Sequence, residues 1–196
     1  MASYLAIEAT CIAVMRQLQQ SWQPDMFNQA PLQFEVYHTK NFNNPMDTGV
    51  SLFLYRVMIN TVQRTPPGRP APDGTPVRPQ LPVDLHFLLT PWAKESSLEQ
   101  EILGWFMRAI EDMPILPSGI LNSFKANIFQ PDETVEIVPG QITNEELFRI
   151  WDVLPADFQI SVPYIARIVR IDSELVTATG KAVLVRDLEY GKIQTP

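Results

Sequence analysis

Val83-Asp84-Leu85-His86-Phe87-Leu88-Leu89-Thr90 is the stretch whose reading decides the fold. Val83, Leu85, Phe87 and Leu89 fall on one side of an extended chain, and Asp84, His86, Leu88 and Thr90 on the other. Strict alternation of this kind predicts a strand with one face on a core. Downstream the period changes. Ser97 stands three residues before Gln100, as in a capping box. Leu98, Ile102, Trp105, Phe106, Ala109, Ile110 and Met113 then recur at helical spacing, and Pro114 and Pro117 end the run. A strand feeding an amphipathic helix predicts a sheet with helices packed against it.

Upstream lies the strongest punctuation in the chain. Seven of the eighteen prolines fall between Pro66 and Pro82. Missing N–H groups and a fixed φ exclude a helix or central strand there, so 64–82 is expected to be an extended surface loop. Arg64, Arg69 and Arg78 outweigh Asp73 within it, which makes the loop basic on an acidic chain. Before it, Val50 to Asn60 is apolar on both sides apart from Ser51 and Arg56, the pattern of a central strand covered on both faces.

The remaining elements follow the same logic. Tyr4, Ile7, Cys11, Val14 and Leu18 share one helical face over 4–20, widened by Leu5, Ile12 and Met15; Arg16, Gln17, Gln19 and Gln20 crowd its polar end. Leu32 to Tyr37 alternates as a half-buried strand. Asn127 to Phe129 and Thr134 to Val138 read as short strands. Thr143 and Glu146 form a capping box for a helix whose buried face is Leu147, Phe148, Ile150, Trp151 and Leu154. Val162 to Ile171 is a long strand, and Thr179-Gly180 turns into a last one, Ala182 to Arg186. The expectation is an α/β (α+β) fold: one domain over 1–196, a mixed sheet of about six strands and three helices.

Composition narrows the function. The net charge of −7 over 196 residues argues against nucleic-acid binding carried by overall charge. One cysteine, Cys11, forms no internal disulfide and fits folding in a reducing compartment. The first residues lack the basic start of a signal peptide, and no apolar run approaches the roughly 20 residues of a membrane span. The chain reads as cytosolic when made, with no membrane insertion.

Chemistry-bearing patterns are sparse. No glycine-rich phosphate loop, nucleophile elbow or zincin motif occurs. Cys11 sits on an apolar helical stripe, where an inert thiol is expected. Asp84 and His86 share a strand face, a spacing that serves a metal or a base and its orienter, but no third ligand accompanies them. Glu145 and Glu146 suit a helix N-terminus. Trp92, in Thr90-Pro91-Trp92-Ala93, is expected at a loop, where an aromatic side chain serves as an interface anchor.

Four segments, taken in order, resemble the cap-protein family of extracellular contractile injection systems. These are phage-tail-like particles such as the Photorhabdus virulence cassettes and antifeeding prophages. The segments are Val50 to Asn60, Pro82 to Ala93, Ile102 to Leu116, and Leu147 to Asp172 with Trp151, Leu154, Ser161, Tyr164, Arg167, Val169, Ile171 and Asp172. Phe87 and Trp92 replace tyrosines of the family pattern. The resemblance implies a tail-terminator-like fold and a hexameric ring ending the inner tube and sheath, with a paralogous cap as a further partner. It implies no catalytic residue and no cofactor, and it makes the chain part of an assembled injection particle. On the residues alone, two alternatives stay open: a small metal- or ligand-binding enzyme using Asp84 and His86, and a peptide-binding adaptor using the Pro-rich loop.

Overall fold

A computed structural model describes residues 3–27, 30–64, 78–173 and 175. Six strands form one mixed sheet: β1 (Gln33–Tyr37), β2 (Gly49–Ile59), β3 (Leu81–Trp92), β4 (Ile115–Pro117), β5 (Thr134–Pro139) and β6 (Val162–Ile171). Their order across the sheet is β1-β2-β3-β6-β5-β4, and only the β1–β2 pair is parallel. The helices are α1 (Ala6–Ser21), α2 (Ser96–Asp112), the single turn α3 (Ser118–Leu121) and α4 (Asn144–Asp152), with 3₁₀ turns at Pro24–Phe27 and Thr39–Asn43. The mixed sheet and its three long helices match the expectation.

α1 and α2 cover one face of the sheet. Val83, Leu85, Phe87 and Leu89 of β3 pack there with Leu18, Ile102, Phe106 and Ile110, as the alternation requires. α1 differs in detail. Ala6, Ala9 and Ala13 are fully buried, and so is Gln17, whose Nε2 donates to the Met113 carbonyl at 2.6 Å. Small side chains let the helix approach its neighbours closely on a second face. The expected stripe therefore loses Tyr4, which is exposed, and gains the glutamine read as polar surface.

A second core lies on the opposite face, at one end only. Tyr37, Phe42, Met46, Trp92, Trp151 and Leu154 meet there under α4 and the Thr39–Asn43 turn. Phe42 stands edge-on to Trp151 at 5.6 Å and to Tyr37 at 5.3 Å. Leu88 and Thr90, on the side of β3 read as polar, are both 1% exposed, and Thr90 Oγ1 is hydrogen-bonded to Ser161 Oγ at 3.1 Å.

β3 is flanked by irregularities on both sides. The β2 register shifts between Leu54 and Arg56, and the β3–β6 register shifts between Val83 and Leu85. At the second shift Ile168 has φ +61°, a left-handed conformation rare for a β-branched residue. Each bulge adds one residue, so the core side moves from Leu54 to Val57 and from Ala166 to Val169.

Several boundaries differ from expectation. β3 starts at Leu81, so the Pro-rich stretch yields its last two residues to the strand; Pro82 sits at the strand's beginning, where proline is tolerated. α2 starts at Ser96 after Glu95, without the expected Ser97 capping box. Asn127–Phe129 is not a strand: the Asn122 amide accepts from Ile128 N and Phe129 N and donates to the Phe129 carbonyl. The missing strand is instead β4, on the prolines expected only to stop a helix. The Thr179-Gly180 turn, the Ala182–Arg186 strand and most of the Pro-rich loop lie outside the described residues.

Candidate assembly surfaces

Asp84 and His86 stand on the same face of β3, as read from the sequence, but the structure gives Asp84 a different task. Its Oδ1 accepts from Ile168 N at 2.9 Å, and its Oδ2 accepts from Asn60 Nδ2 at 3.0 Å. Asn60 Oδ1 in turn accepts from Gln63 N. The carboxylate therefore ties the β6 bulge to the end of β2. His86 lies opposite Arg56 and 6.2 Å from the Tyr55 ring. Burial holds its pKa below the ordinary 6.5, Arg56 lowers it further and Asp84 opposes them. Among the described residues, no group of three His, Cys, Asp or Glu side chains is placed to hold a metal.

Cys11 and His38 both line a groove between α1 and the β1–β2 edge, the pairing a Cys–His nucleophile would need. Burial pushes the thiol up to about 12, so it is protonated at neutral pH. The His38 Nδ1 is engaged by Asn41 Oδ1 in capping the Thr39–Asn43 turn. Neither group is set up as a nucleophile or base.

Trp92 is not in a loop. It closes β3, is 6% exposed, and its Nε1 donates to Ser51 Oγ at 2.8 Å. The indole anchors the second core from inside the chain. Arg64 and Arg78 are exposed on either side of the undescribed stretch 65–77, which contains Arg69.

The structure adds two surfaces that the sequence reading lacked. The first surrounds α4. Its capping box forms as expected: Thr143 Oγ1 accepts from Glu146 N, and Glu146 Oε2 accepts from Thr143 N at 2.8 Å. These bonds from Thr143 hold the Glu146 carboxyl below its usual value. Of the expected apolar face, however, Phe148 is 50% exposed and stacks edge-on with the exposed Phe158 at 5.3 Å. Val153 and Ile160 are exposed beside them in sequence. The helical period found Phe148 but not its exposure. Phe158 and Ile160 follow Pro155 without any period that could have marked them.

The second surface is the outer edge of β2. β1 pairs with Gly49 to Phe53 and stops. Arg56 to Ile59 continue along β3 with no strand outside them among the described residues, and Val57, Met58 and Ile59 are exposed. The expectation of a strand covered on both faces fails for this half.

In overall architecture this is the fold of a tail terminator. It is similar to the sheath/tube terminator of the PVC extracellular contractile injection system in its extended state, with a TM-score of 0.63 and 14% identity over 100% of this chain and 66% of that one. It is also similar to the tube-terminating cap of the anti-feeding prophage, with a TM-score of 0.58 and 15% identity over 91% of this chain and 58% of the other. The chain thus spans less than two thirds of the length of either structure. Residues 10–184 match the family described as the Pvc16 N-terminal domain, and the chain belongs to that family. No curated protein matches its sequence. Among the described residues no helix is long and apolar enough to cross a membrane.

Proposed function

We propose that this chain is a cap subunit of a contractile injection particle, which ends the inner tube and sheath as a ring of six copies. The observation that carries the reading is the family match over residues 10–184, nearly the whole chain. The physical logic is simple. Tube and sheath grow by repeating one head-to-tail interface, and such a contact propagates unless a subunit offers only one complementary face. A cap needs surfaces for its neighbours, and no catalytic residue.

The exposed Phe148–Phe158 pair with Val153 and Ile160 is the surface assigned to a neighbouring copy, because exposed apolar patches mark interfaces. Arg64, Arg69 and Arg78 on the Pro-rich loop are assigned to carboxylates of a neighbouring cap, sheath or tube subunit. Trp92 contributes from within, by holding the second core under α4.

Removing this protein from a particle-producing cell tests the reading. Negative-stain images are expected to show tubes and sheaths of irregular length, or unstable particles. Uniform particles of normal length in its absence, with no paralogue present, would overturn the cap assignment. In the purified protein, Phe148→Asp with Phe158→Asp is expected to leave a folded monomer and abolish the ring on size-exclusion chromatography with light scattering.

A further inference from the structure

We infer that Arg56 and Arg170, brought to one face of the sheet by the two bulges, receive Glu101 and Asp112 from the outer side of α2 of a second copy.

The arginines share a face only because their strands are irregular. In a regular strand, residues an even number apart point the same way. Leu52 and Leu54 of β2, and Tyr164 and Ala166 of β6, stand opposite Leu89, Phe87 and Leu85 and point into the core under α1. Without the extra residues, Arg56 and Arg170 would follow them into that core. With them, Arg56 stands opposite His86 and Arg170 opposite Pro82, on the α4 side. Arg167 joins them there, opposite Glu136 of β5. All three arginines are exposed, and among the described residues none is in an ion pair. Asp84, on the same face of β3, is already engaged by Ile168 N and Asn60 Nδ2. The second bulge is held in spite of the left-handed φ of Ile168, and strain of this kind persists where it positions a functional group.

Charge and spacing name the occupant. α2 packs on the other face of the sheet through Ile102, Phe106 and Ile110, and its outer side carries Glu101, Arg108 and Asp112, all exposed. Arg108 bonds Oδ1 of Asp112, which leaves Oδ2 for a neighbour. Arg56 and Arg170 are two strands and four ladder positions apart, about 17 Å. Glu101 and Asp112 are also about 17 Å apart along α2, and within about 20° of each other around it. Two carboxylates thus meet two guanidiniums at matched spacing, in the fork geometry that strengthens such pairs. Donor and acceptor surfaces lie on opposite faces of the chain, so the contact is head-to-tail, the type that closes a ring. The inference rests on the reading of this chain as a ring-forming cap.

Charge exchange on the full chain tests it, read by size-exclusion chromatography with light scattering. Arg56→Glu with Arg170→Glu is expected to run as a monomer, and so is Glu101→Arg with Asp112→Arg. An equimolar mixture of the two is expected to recover the ring, because alternating subunits restore every contact. A ring from either variant alone would overturn the inference, and so would a mixture of folded variants that stays monomeric. Should a charge variant melt early, Arg170→Cys with Asp112→Cys decides instead: a short bismaleimide linker is expected to join copies in series, and either cysteine alone to join none. Absence of linked copies, or dimers from one cysteine, would overturn it. An unmodified chain that stays monomeric overturns this contact as well, whereas the cap assignment is judged separately by particle length.

Discussion

The two halves of β2 have nearly the same apolar content and opposite fates. Val50, Ser51 and Leu52 lie between β1 and β3 and are fully buried. Among the described residues Val57, Met58 and Ile59 have β3 on one side only, and they are 39–52% exposed. Hydropathy says that a residue gains from burial; what covers it is decided by elements far away in sequence. Here the decision is made at Tyr37, where β1 stops and the chain turns away through Thr39–Asn43.

The difference is best broken at Gly49. This residue has φ +153°, and a Cβ there would lie 2.1 Å from the Gln33 carbonyl oxygen. Gly49→Ala is therefore expected to push β1 off β2 and make the first half as open as the second. Backbone strain and the lost ladder together should cost about 3–5 kcal/mol, among the largest single-residue effects. Urea unfolding measures this, and faster amide exchange at 50–53 would locate it.

A pair of truncations sharpens the same contrast. Leu52→Ala removes a side chain with no exposed surface and should lose about 3 kcal/mol. Val57→Ala in the open half should lose less than about 1 kcal/mol. If the two losses are equal in urea unfolding, the second half is as well covered as the first.

Asp84→Ala is expected to cost about 1–3 kcal/mol, because it leaves the Ile168 N–H and the Asn60 amide without their acceptor. Asp84→Asn keeps an acceptor for Ile168 and should lose less than the alanine variant. With His86→Gln it should leave ring formation intact, since neither side chain is needed for chemistry.

The smallest effect is a pH dependence at His86. Its pKa is depressed in the folded protein, so protonation favours the unfolded chain. The penalty is absent above the ordinary value of 6.5, grows as pH falls below it, and is fully present once pH has passed the folded pKa. His86→Gln should flatten the decline in thermal midpoint over that window. An unchanged slope would mean that His86 is solvated as freely as in the unfolded chain.

Local rules carried most of the fold. The side of β3 that carries Val83, Leu85, Phe87 and Leu89 and the capping box at Thr143 concern neighbours within a few residues, and both stand as read. Trp92, Phe148 and the open half of β2 were misjudged because their environment is set by distant chain. Trp92 meets Phe42 and Trp151, and β2 loses its cover to a turn at residue 39. The bulges were closer to legible. Residues facing the same side of the sheet run 50, 52, 54 and then 57, 59, opposite Leu85 and Val83, and again 164, 166 and then 169, 171. Each change of parity marks the extra residue, though a bulge and a strand end look alike without a partner strand. Of the exposed apolar residues around α4, Phe148 alone was one the sequence had singled out.

The position of β6 has a consequence for how the chain acquires its structure. Among the described residues β6 is the last strand of the sheet in sequence, yet it sits between β3 and β5. Until residues 162–171 leave the ribosome, β1-β2-β3 and β4-β5 can exist only as two separate ribbons, each with an apolar edge awaiting a partner. Partners as distant as Leu81 and Ile171 must close a loop of about ninety residues, the kind of remote pairing that slows folding. About eighty residues, from Trp92 to Ile171, must therefore be made while the inner edge of β3 is unpaired, an interval in which exposed edges favour self-association.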